Sequence, residues 1–368
     1  MRFNSKITLV FAAIILLFNS CKNELNILAP YKEAVSVYAL LNPQESHQYI
    51  RINKIFAGEG NAYTMATVND SVNYQPGVLK VTLSRSYLGN PANTTLGNPT
   101  KMEIVLRDTV VQLNPGPFNQ NQRLFYTTDK LYHDGEYHLK ITNTITGNEF
   151  TSTSSMIDSI AQPNILQPLG KPAYSEVTIP SLTLQPYMFQ DLSIPNQKRD
   201  IIFSSTPGAR DYTCIMRFHY RDFEGGDSTD RYLDYTFSTI SSNDLKGGQQ
   251  MSFTYYTTNF LDYMYSKLII NQPSILKRRA LKLDFIITAG AQDYADFLKI
   301  SAPSTSVAQD KPAYTNIDGG GFGIFSCRSR FHISKRIAAN TFDYLATKKP
   351  YCDLLFLNAL GVPGSVCN

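Results

Sequence analysis

Alternation of apolar and polar residues between positions 33 and 155 is the feature that most limits the fold of this chain. The clearest alternating runs are residues 35–40, 49–52, 79–83, 103–106 and 137–141. Successive side chains of a β-strand point to opposite faces, so each run places its apolar side chains on one face. Short clusters of Gly, Pro, Asn and Asp separate the runs, as turns require. The pattern predicts antiparallel strands that are each buried on one face.

One of these strands also indicates the type of β fold. In residues 134–141 a turn containing Asp134 and Gly135 is followed by Tyr137 at the start of an alternating run. This arrangement resembles the late strand of immunoglobulin-like sandwiches, in which a Tyr follows a turn and fixes the corner. We therefore expect residues 33–155 to form an Ig-like β-sandwich.

The alternation ends at residues 156–174. Pro163, Pro168, Gly170 and Pro172 fall within ten residues there, which predicts a linker. A chain of 368 residues has room for about two domains. We therefore expect a second domain over residues 175–368.

The second domain again shows mainly strand patterns, at residues 212–218, 232–237 and 281–287. Two short helices interrupt them, one beginning near Thr258 and one over residues 292–300. They should turn apolar residues at helical spacing toward the core, namely Phe260, Met264 and Leu268 in the first and Tyr294, Phe297 and Leu298 in the second. The predicted fold class is mainly β, with an N-terminal Ig-like β-sandwich followed by a second β-rich domain with a few short helices.

The first residues predict export from the cytoplasm. Arg2 and Lys6 precede an apolar stretch of twelve residues, 7–18, which is too short to span a bilayer but typical of a signal peptide over residues 1–20. The stretch is followed by Cys21, as in a bacterial lipobox, where the cysteine is lipidated and becomes the first mature residue. Residues 21–32 would then be a lipidated tether. The alternative is an ordinary signal peptide followed by an incidental cysteine.

Charge narrows the possible partners. Removing Arg2 and Lys6 with the signal peptide lowers the formal net charge from +4 to +2. Basic and acidic residues are evenly spread, so we expect no nucleic-acid partner. Attachment to a membrane would therefore depend on acyl chains at Cys21 and not on a basic surface.

Four cysteines remain after Cys21. We expect Cys352 and Cys367 to form a disulfide, because both lie in the C-terminal tail and an exported protein meets an oxidising environment. Some or all of the four, including Cys214 and Cys327, could instead be buried free thiols. The chain has no C-x-x-C motif, which argues against a redox-active site.

A glycine run lies at residues 318–325, Asp-Gly-Gly-Gly-Phe-Gly-Ile-Phe. Gly319, Gly320 and Gly321 can adopt positive φ, which predicts a structural turn leading into a strand from Phe322. A phosphate-binding loop is the alternative interpretation. It would require a preceding strand and a following helix, and the sequence indicates neither.

The same segment carries a resemblance to a known family. The segment contains Thr315-Asn316-Ile317, the glycine run and Gly323-Ile324-Phe325. It resembles the C-terminal signature of uncharacterised outer-membrane lipoproteins of Bacteroidota. In that family a helix carrying a Tyr precedes the signature, and Tyr294 occupies the corresponding place here. The resemblance implies a lipid-anchored, surface-exposed β protein, often encoded beside outer-membrane β-barrel transporters. It implies no catalytic residues.

Two clusters contain potential metal ligands. They are His133, Asp134, Glu136 and His138 in one, and Asp222, Glu224, Asp227 and Asp230 in the other. The first lacks a recognisable third ligand, and the second does not have the spacing of an EF-hand. Solvated turns explain both, so we expect no metal and no other cofactor.

Residues 253–265 contain six aromatic side chains, which are typical of sugar sites and of protein interfaces. The absence of Trp weakens the sugar interpretation. We expect Tyr256 and Tyr263 to face outward and contact a partner. Common hydrolase and nucleotide-binding motifs are missing from the sequence. The leading hypothesis is a non-enzymatic, surface-exposed lipoprotein that docks on an outer-membrane β-barrel complex, either a TonB-dependent transporter or an assembly or secretion machine. The alternative is a lipoprotein that binds a glycan or peptide and delivers it to a transporter.

Overall fold

The computed structural model describes residues 33–55, 61–87, 101–133, 135–158, 160, 164–165, 189–269, 275–302 and 313–368. The predicted signal peptide, Cys21, the tether and the Pro and Gly residues of the predicted linker lie outside this part of the chain. The described residues are mainly strand, as the sequence predicts.

Eight strands form a sandwich from residues 34 to 155. They are β1 (Ala34–Leu41), β2 (Gln48–Ile55), β3 (Leu79–Ser86), β4 (Lys101–Val105), β5 (Arg107–Gln112), β6 (Asn121–Thr127), β7 (Glu136–Asn143) and β8 (Glu149–Ser155). Two short helices, α1 (Ala62–Thr67) and α2 (Asn69–Val72), lie between β2 and β3. One layer has the order β1-β2-β6-β5 and the other the order β4-β3-β7-β8. This arrangement matches the A-B-E-D and C′-C-F-G sheets of the immunoglobulin fold, which confirms the Ig-like sandwich.

Alternation explains the sandwich core. Every second residue of β1, from Val35 to Leu41, is buried, and the same pattern recurs in β3 and β7. Tyr137 at the start of β7 is fully buried, and its hydroxyl oxygen accepts a hydrogen bond from the backbone N–H of Tyr132 at 2.8 Å. This contact is the corner that the sequence predicts.

The rest of the described chain adds nine strands and three longer helices. The strands are β9 (Asn164–Ile165), β10 (Phe189–Gln190), β11 (Lys198–Ser204), β12 (Ala209–Glu224), β13 (Asp227–Thr236), β14 (Ile240–Ser241), β15 (Gln250–Tyr256), β16 (Lys277–Ala291) and β17 (Phe322–Ile337). The helices are α3 (Thr257–Leu268), α4 (Gln292–Ser301) and α5 (Ala339–Thr347), followed by a 3₁₀ turn (Tyr351–Leu354). Long antiparallel strands in the order β13-β12-β16-β17 dominate this half.

The two helical predictions had different outcomes. Helix α3 buries Phe260, Met264 and Leu268, as predicted. In α4, however, Leu298 is exposed and Ala295 is the buried residue, so the prediction for Leu298 was wrong. Polar residues at 292, 293, 296 and 299 surround this short helix, and it therefore meets the sheet only along a narrow stripe.

A parallel pairing joins the two halves. Strand β17 pairs with β1 from Ser36↔Phe322 to Leu41↔Cys327, so the sandwich layer β1-β2-β6-β5 continues into the long strands as one ten-stranded sheet. Buried residues of both halves form one contiguous core. The two predicted domains therefore share a sheet.

Glycines make this joint possible. Gly319 and Gly320 have φ of 84° and 89°, and Asp318 N–H donates to the carbonyl of Thr151 in β8 at 2.8 Å. Gly323 has φ of 105°, and a Cβ there would lie 2.0 Å from the carbonyl oxygen of Val37. A Cβ at Gly321, whose φ is not positive, would lie 2.4 Å from Ile317. The glycine segment is thus a structural turn that contacts β8 and leads into β17, which lies between β16 and β1 in its sheet. The element that follows the turn is a strand and not a helix.

Candidate functional site

The ten-stranded sheet has two faces, one packed into the core and one turned away from it, which we call the outer face. Residues in register across β12, β16, β17 and β1 place their side chains on the same side of the sheet. Arg217, Asp284 and Ser334 form one such row, and Ile324 with Tyr38 forms another. This side of the sheet is not open at the joint between the halves, because Ile324 is fully buried and Tyr38 packs edge-on against Phe297 of α4, with ring centroids 6.1 Å apart.

The sandwich part of the outer face is aromatic. Tyr38 and Tyr49 are exposed, and Tyr49 pairs in register with Tyr126, their ring centroids lying 6.1 Å apart. Arg51 lies in register with Tyr38 on one side and Leu124 on the other. We call Tyr38, Tyr49, Arg51, Leu124 and Tyr126 the aromatic platform. Strands hold it from below, so its side chains are presented on a stiff backbone.

Two neighbouring grooves lie on this face. The first, of about 280 Å³, runs along the platform and is bordered by Glu45, His47 and Arg328. The second, of about 370 Å³, lies over the long strands. It is lined by Asn42, Gln44, Glu45, Arg217, Asp284, Ile286, Arg330 and His332. Glu45, in the turn between β1 and β2, borders both grooves and contacts Arg328 at 3.4 Å.

The turn that separates the grooves is firmly held. Gln48 is buried, accepts a hydrogen bond from Asn42 N–H at 2.8 Å and donates to the Asn42 carbonyl at 2.7 Å. Arg330 N–H donates to the side-chain oxygen of Gln44 at 2.9 Å, which ties the turn to β17. The shape of both grooves is therefore fixed by strand and turn contacts.

Asp284 is the centre of the second groove. Its buried carboxylate accepts hydrogen bonds from Ser334 Oγ at 2.5 Å and Lys282 Nζ at 3.0 Å, lies 2.8 Å from His219 Nε2, and has His332 Nε2 at 3.3 Å. Burial acts to raise the pKa of this carboxyl. The hydrogen bonds from Ser334, Lys282 and His219 outweigh burial and hold the pKa at about 2. Asp284 is therefore ionised at neutral pH and acts as a counter-ion to the basic groups around it.

This cluster is not arranged for nucleophilic catalysis. A hydrolytic serine needs an imidazole to take its proton, and Ser334 instead donates to the carboxylate of Asp284. Neighbouring charges are also matched, since Arg217 forms a bidentate pair with Asp234 at 2.7 and 2.8 Å. Most charges of the second groove are therefore paired within the described part of the chain, and Arg330, whose backbone N–H bonds to Gln44, is the exception.

The two predicted partner contacts, Tyr256 at the end of β15 and Tyr263 in α3, have different environments. Tyr256 is exposed, as expected. Tyr263 is half-buried, because its hydroxyl donates to the carbonyl of Asp234 at 2.8 Å and its ring packs edge-on against Tyr235. Its expected outward position is thus replaced by an internal contact between α3 and β13.

The cysteines fall into two classes. Cys352 and Cys367 are joined in a disulfide that closes the C-terminal tail onto the 3₁₀ turn, whereas Cys214 and Cys327 are buried free thiols. Burial raises the pKa of the Cys214 thiol, and it raises the pKa of Cys327 to about 12. Both thiols are therefore protonated and weakly nucleophilic.

Among the described residues, neither cluster of potential metal ligands gathers its side chains around a common point. His133 Nδ1 lies 2.8 Å from the Ile157 carbonyl, whereas His138 lies between the hydroxyls of Ser86 and Thr153. In the other cluster, Asp222 is paired with Arg278 and Arg231, and Asp230 is paired with Arg221. Within the described residues, one group brings three ligand atoms close together, Cys352, Asp353 and Cys367, and its sulfurs are bonded to each other.

The aromatic platform was not predicted from the sequence, although the alternation in β1 and β2 contained the signal. Val35 and Val37 mark the buried face of β1, so Tyr38 had to lie on the opposite face. Ile50 and Ile52 do the same for Tyr49 in β2. What the alternation could not show is that β1, β2 and β6 lie side by side and collect these rings.

None of the helices in the described part of the chain is long and apolar enough to cross a membrane.

Comparisons with known proteins do not assign a family. Neither a protein-family model nor a curated protein matches the chain. Among solved structures, the C-terminal globular domain of an oligosaccharyltransferase from Pyrococcus abyssi is similar over 69% of this chain and 48% of its own length, with 11% identity and a TM-score of 0.17. This chain thus spans about half of that structure, and a likeness at this level carries no argument about fold or function.

Proposed function

We propose that this chain is a lipid-anchored protein of the bacterial outer membrane that faces the cell surface and docks, without catalysis, on an outer-membrane β-barrel protein. A TonB-dependent transporter and an assembly or secretion machine are the partner classes. Cys21 after an apolar signal segment and the sequence resemblance to outer-membrane lipoproteins support the anchor. The observation that supports docking is the aromatic platform.

The platform has the composition of a protein interface. Tyr and Arg are enriched where proteins bind each other, because they supply large contact areas and several hydrogen-bonding groups. Tyr38 and Tyr49 are exposed with Arg51 and Leu124 beside them, all on strands. A stiff backbone reduces the entropy lost when the surface is covered. The second groove is a weaker candidate, because most of its charges, Arg330 excepted, already pair with other described residues of the chain.

Co-isolation tests the docking proposal. The tagged full-length protein, extracted from its membrane in mild detergent, should bring down a β-barrel protein in fixed ratio. The double variant Tyr38→Ala/Tyr49→Ala should lose most of that partner while remaining folded by circular dichroism. Tyr256→Ala forms a separate arm that tests the contact expected near α3. Undiminished co-isolation by the platform variant would contradict a contact at this surface.

Binding of a glycan or peptide is the second candidate function, and the first groove favours it. The groove lies beside the rings of Tyr38 and Tyr49 and contains Glu45, His47 and Arg51 as polar groups. Calorimetric titration of the purified protein with saccharide and peptide mixtures would show saturable heat if this candidate is correct. Recovery of the protein alone, together with saturable ligand binding, would favour delivery over docking.

Two experiments test the anchor and its orientation. Cys21→Ala should yield an unlipidated precursor or a soluble product, and unchanged membrane attachment of that variant would contradict lipidation. Protease added to intact cells should degrade the protein if it faces outward. Full protection, under conditions that cleave a known surface protein, would place it on the periplasmic side.

A further inference from the structure

One end of the Ig-like sandwich carries exposed apolar side chains on three separate loops. Tyr63 before β3 and Ile145 between β7 and β8 are each 76% exposed, and Phe118 between β5 and β6 is 50% exposed. The rings of Tyr63 and Phe118 stack with centroids 6.4 Å apart. Val68, in the same loop as Tyr63, and Leu113, in the same loop as Phe118, are also exposed. Apolar groups gathered on loop tips are a recognised sign of a contact surface.

The chain enters the sandwich at this same end. Glu33 precedes β1, and its carboxylate accepts hydrogen bonds from Asn143 at 2.6 Å, Thr146 at 2.8 Å and Asn148 at 2.7 Å, which fixes the turn that carries Ile145. Tyr74, which follows α2, also donates to Glu33 at 3.0 Å. We call Glu33 and the loop segments 61–69, 113–120 and 144–148 the entry end.

Hydrogen bonds between the loops make the entry end a single surface. Asn73 donates to the Asn121 carbonyl at 2.8 Å and accepts from Gln122, which joins the first loop to the second. The backbone N–H of Asn119 donates to the carbonyl of Ala66 in α1 at 3.0 Å. The exposed side chains are therefore held on one support.

The three loop segments contain no charged residue, although three charges adjoin them: Glu33, which is hydrogen-bonded to the third loop, Asp70 directly after the first segment and Glu149 directly after the third. Residues 61–69, 113–120 and 144–148 consist of apolar, small, amide and hydroxyl residues only. The opposite end of the sandwich differs, since its turns carry Glu45, Asp129 and Lys130. Bringing charges against lipid is costly, whereas Tyr, Phe and Ile are favoured at the boundary between headgroups and acyl chains.

We propose that the entry end rests on the membrane in which Cys21 is anchored, with Tyr63, Phe118 and Ile145 inserted among the lipid headgroups. The occupant of this surface is a lipid bilayer, and the proposal depends on the lipidation of Cys21 proposed above. At most roughly 40 Å of extended chain separates Cys21 from Glu33. A bilayer is therefore within reach of the loops. Turning the sandwich over would bring Glu45, Asp129 and Lys130 to the lipid and leave the apolar loops in water.

Depth-dependent fluorescence quenching tests this contact. The chain has no Trp, so each single Trp variant carries an isolated fluorophore. Lipidated full-length Tyr63→Trp and Phe118→Trp proteins would be incorporated into phosphatidylethanolamine–phosphatidylglycerol vesicles, with and without lipids brominated on the acyl chain. Tyr232→Trp is the matched control, because Tyr232 is an exposed tyrosine on β13, a strand of the second half.

Brominated lipid should quench both loop variants at least about twofold more than the control, as expected for side chains at the acyl boundary. Equal quenching of all three, in protein that floats with the vesicles, would overturn the proposal. Loop variants that are unquenched by lipid but become shielded from iodide when a β-barrel partner is added would also overturn it, and would assign this end to the partner.

A second set of measurements distinguishes insertion of the loops into the membrane from lipidation of Cys21. Mass measurement and flotation of the wild-type and Cys21→Ala proteins report lipidation directly, so an absent acyl mass would contradict the proposed anchor. In lipidated, floating protein, Ile145→Asp/Phe118→Asp in the Tyr63→Trp background should abolish the quenching while flotation persists. Retained quenching in that variant would contradict insertion of the loops.

Discussion

The two halves of the outer face share one sheet but differ in whether their side chains are paired with each other or exposed to solvent. On the long strands, charges are matched in register, as in Arg217 with Asp234 and in the groups around Asp284. On the sandwich strands, Tyr38 and Tyr49 remain exposed beside Arg51. Charges that neutralise each other across strands stabilise the fold, whereas exposed aromatic side chains on the same scaffold remain available for binding.

The two halves share one sheet because β1 pairs in parallel with β17. Gly323→Ala should disrupt this pairing. A Cβ at this position would lie 2.0 Å from the Val37 carbonyl, at a φ of 105° that other residues rarely adopt. We expect the free energy of unfolding to fall by more than about 3 kcal/mol. Urea unfolding followed by circular dichroism measures the change, either as a lower midpoint or as two separate transitions.

The control for this variant is Gly226→Ala. Gly226 lies in the turn between β12 and β13, where an added Cβ would meet open space. It should leave the unfolding midpoint nearly unchanged. Equal midpoints for Gly323→Ala and the wild type would show that the β1–β17 joint does not hold the halves together.

Asp284→Asn tests whether the charged half is structural. The pKa of Asp284 is about 2 in the folded chain, below the ordinary value of 3.8, so its ionised form stabilises the fold. That contribution is present above the ordinary pKa and is lost as the pH falls from about 4 to about 2. We expect the variant to be less stable than the wild type by about 2 kcal/mol at pH 7. The difference should shrink across that acidic range.

Asp230→Asn provides the contrast, because the Asp230–Arg221 pair is exposed on both sides and solvent screens its attraction, so its loss should change the stability far less than Asp284→Asn does. Denaturant unfolding at several pH values would measure both variants. A pH-independent loss in Asp284→Asn would mean that packing, and not the ionised carboxylate, is responsible.

Tyr137→Phe tests the corner that ends the β6–β7 connection. The change removes the oxygen that accepts from Tyr132 N–H, while the ring stays in its buried position. We expect a loss of about 1 kcal/mol in unfolding free energy. Tyr49→Phe, at an exposed ring of the platform, should be neutral in the same thermal unfolding measurement. Equal effects of the two changes would contradict a special role for the corner.

Local sequence patterns predicted the parts of the fold that depend on local contacts. Alternation located five of the eight sandwich strands, the turn before Tyr137 indicated the corner, and helical spacing placed Phe260 and Met264 in the core. The predicted glycine turn is present at Gly319 and Gly320, whereas Gly321 does not have a positive φ. Each of these features depends on residues close together in the chain, which is why a single sequence contains the signal.

Long-range features could not be predicted in this way. The pairing of Ser36 with Phe322 joins strands almost three hundred positions apart and leaves no periodicity that differs from ordinary alternation. For the same reason Gly323, which that pairing requires, could not be distinguished from the turn glycines before it. The outward expectation for Tyr263 overlooked the Asp234 carbonyl, which β13 brings to it.

A matched pair of exposed tyrosines tests whether the sandwich half or the charged half of the outer face binds the partner. Changing either tyrosine should have the smallest effect on stability of all the variants. Both tyrosines are exposed, Tyr49 on β2 and Tyr232 on β13, which is the edge strand of the same sheet. Tyr49 belongs to the aromatic platform, whereas the ring of Tyr232 lies 4.0 Å from the Arg217 guanidinium on the charged half. Each change to Ala should alter the free energy of unfolding by less than about 1 kcal/mol, because little buried surface is lost.

Their effects on docking should differ. If the platform binds the partner, Tyr49→Ala reduces co-isolation of a β-barrel protein and Tyr232→Ala does not, at equal expression and equal thermal stability. The equal stabilities matter, because they exclude unfolding as the cause of lost binding. The reverse pattern would move the contact to the charged half, and it would mean that internally paired charges on this sheet still provide a binding surface.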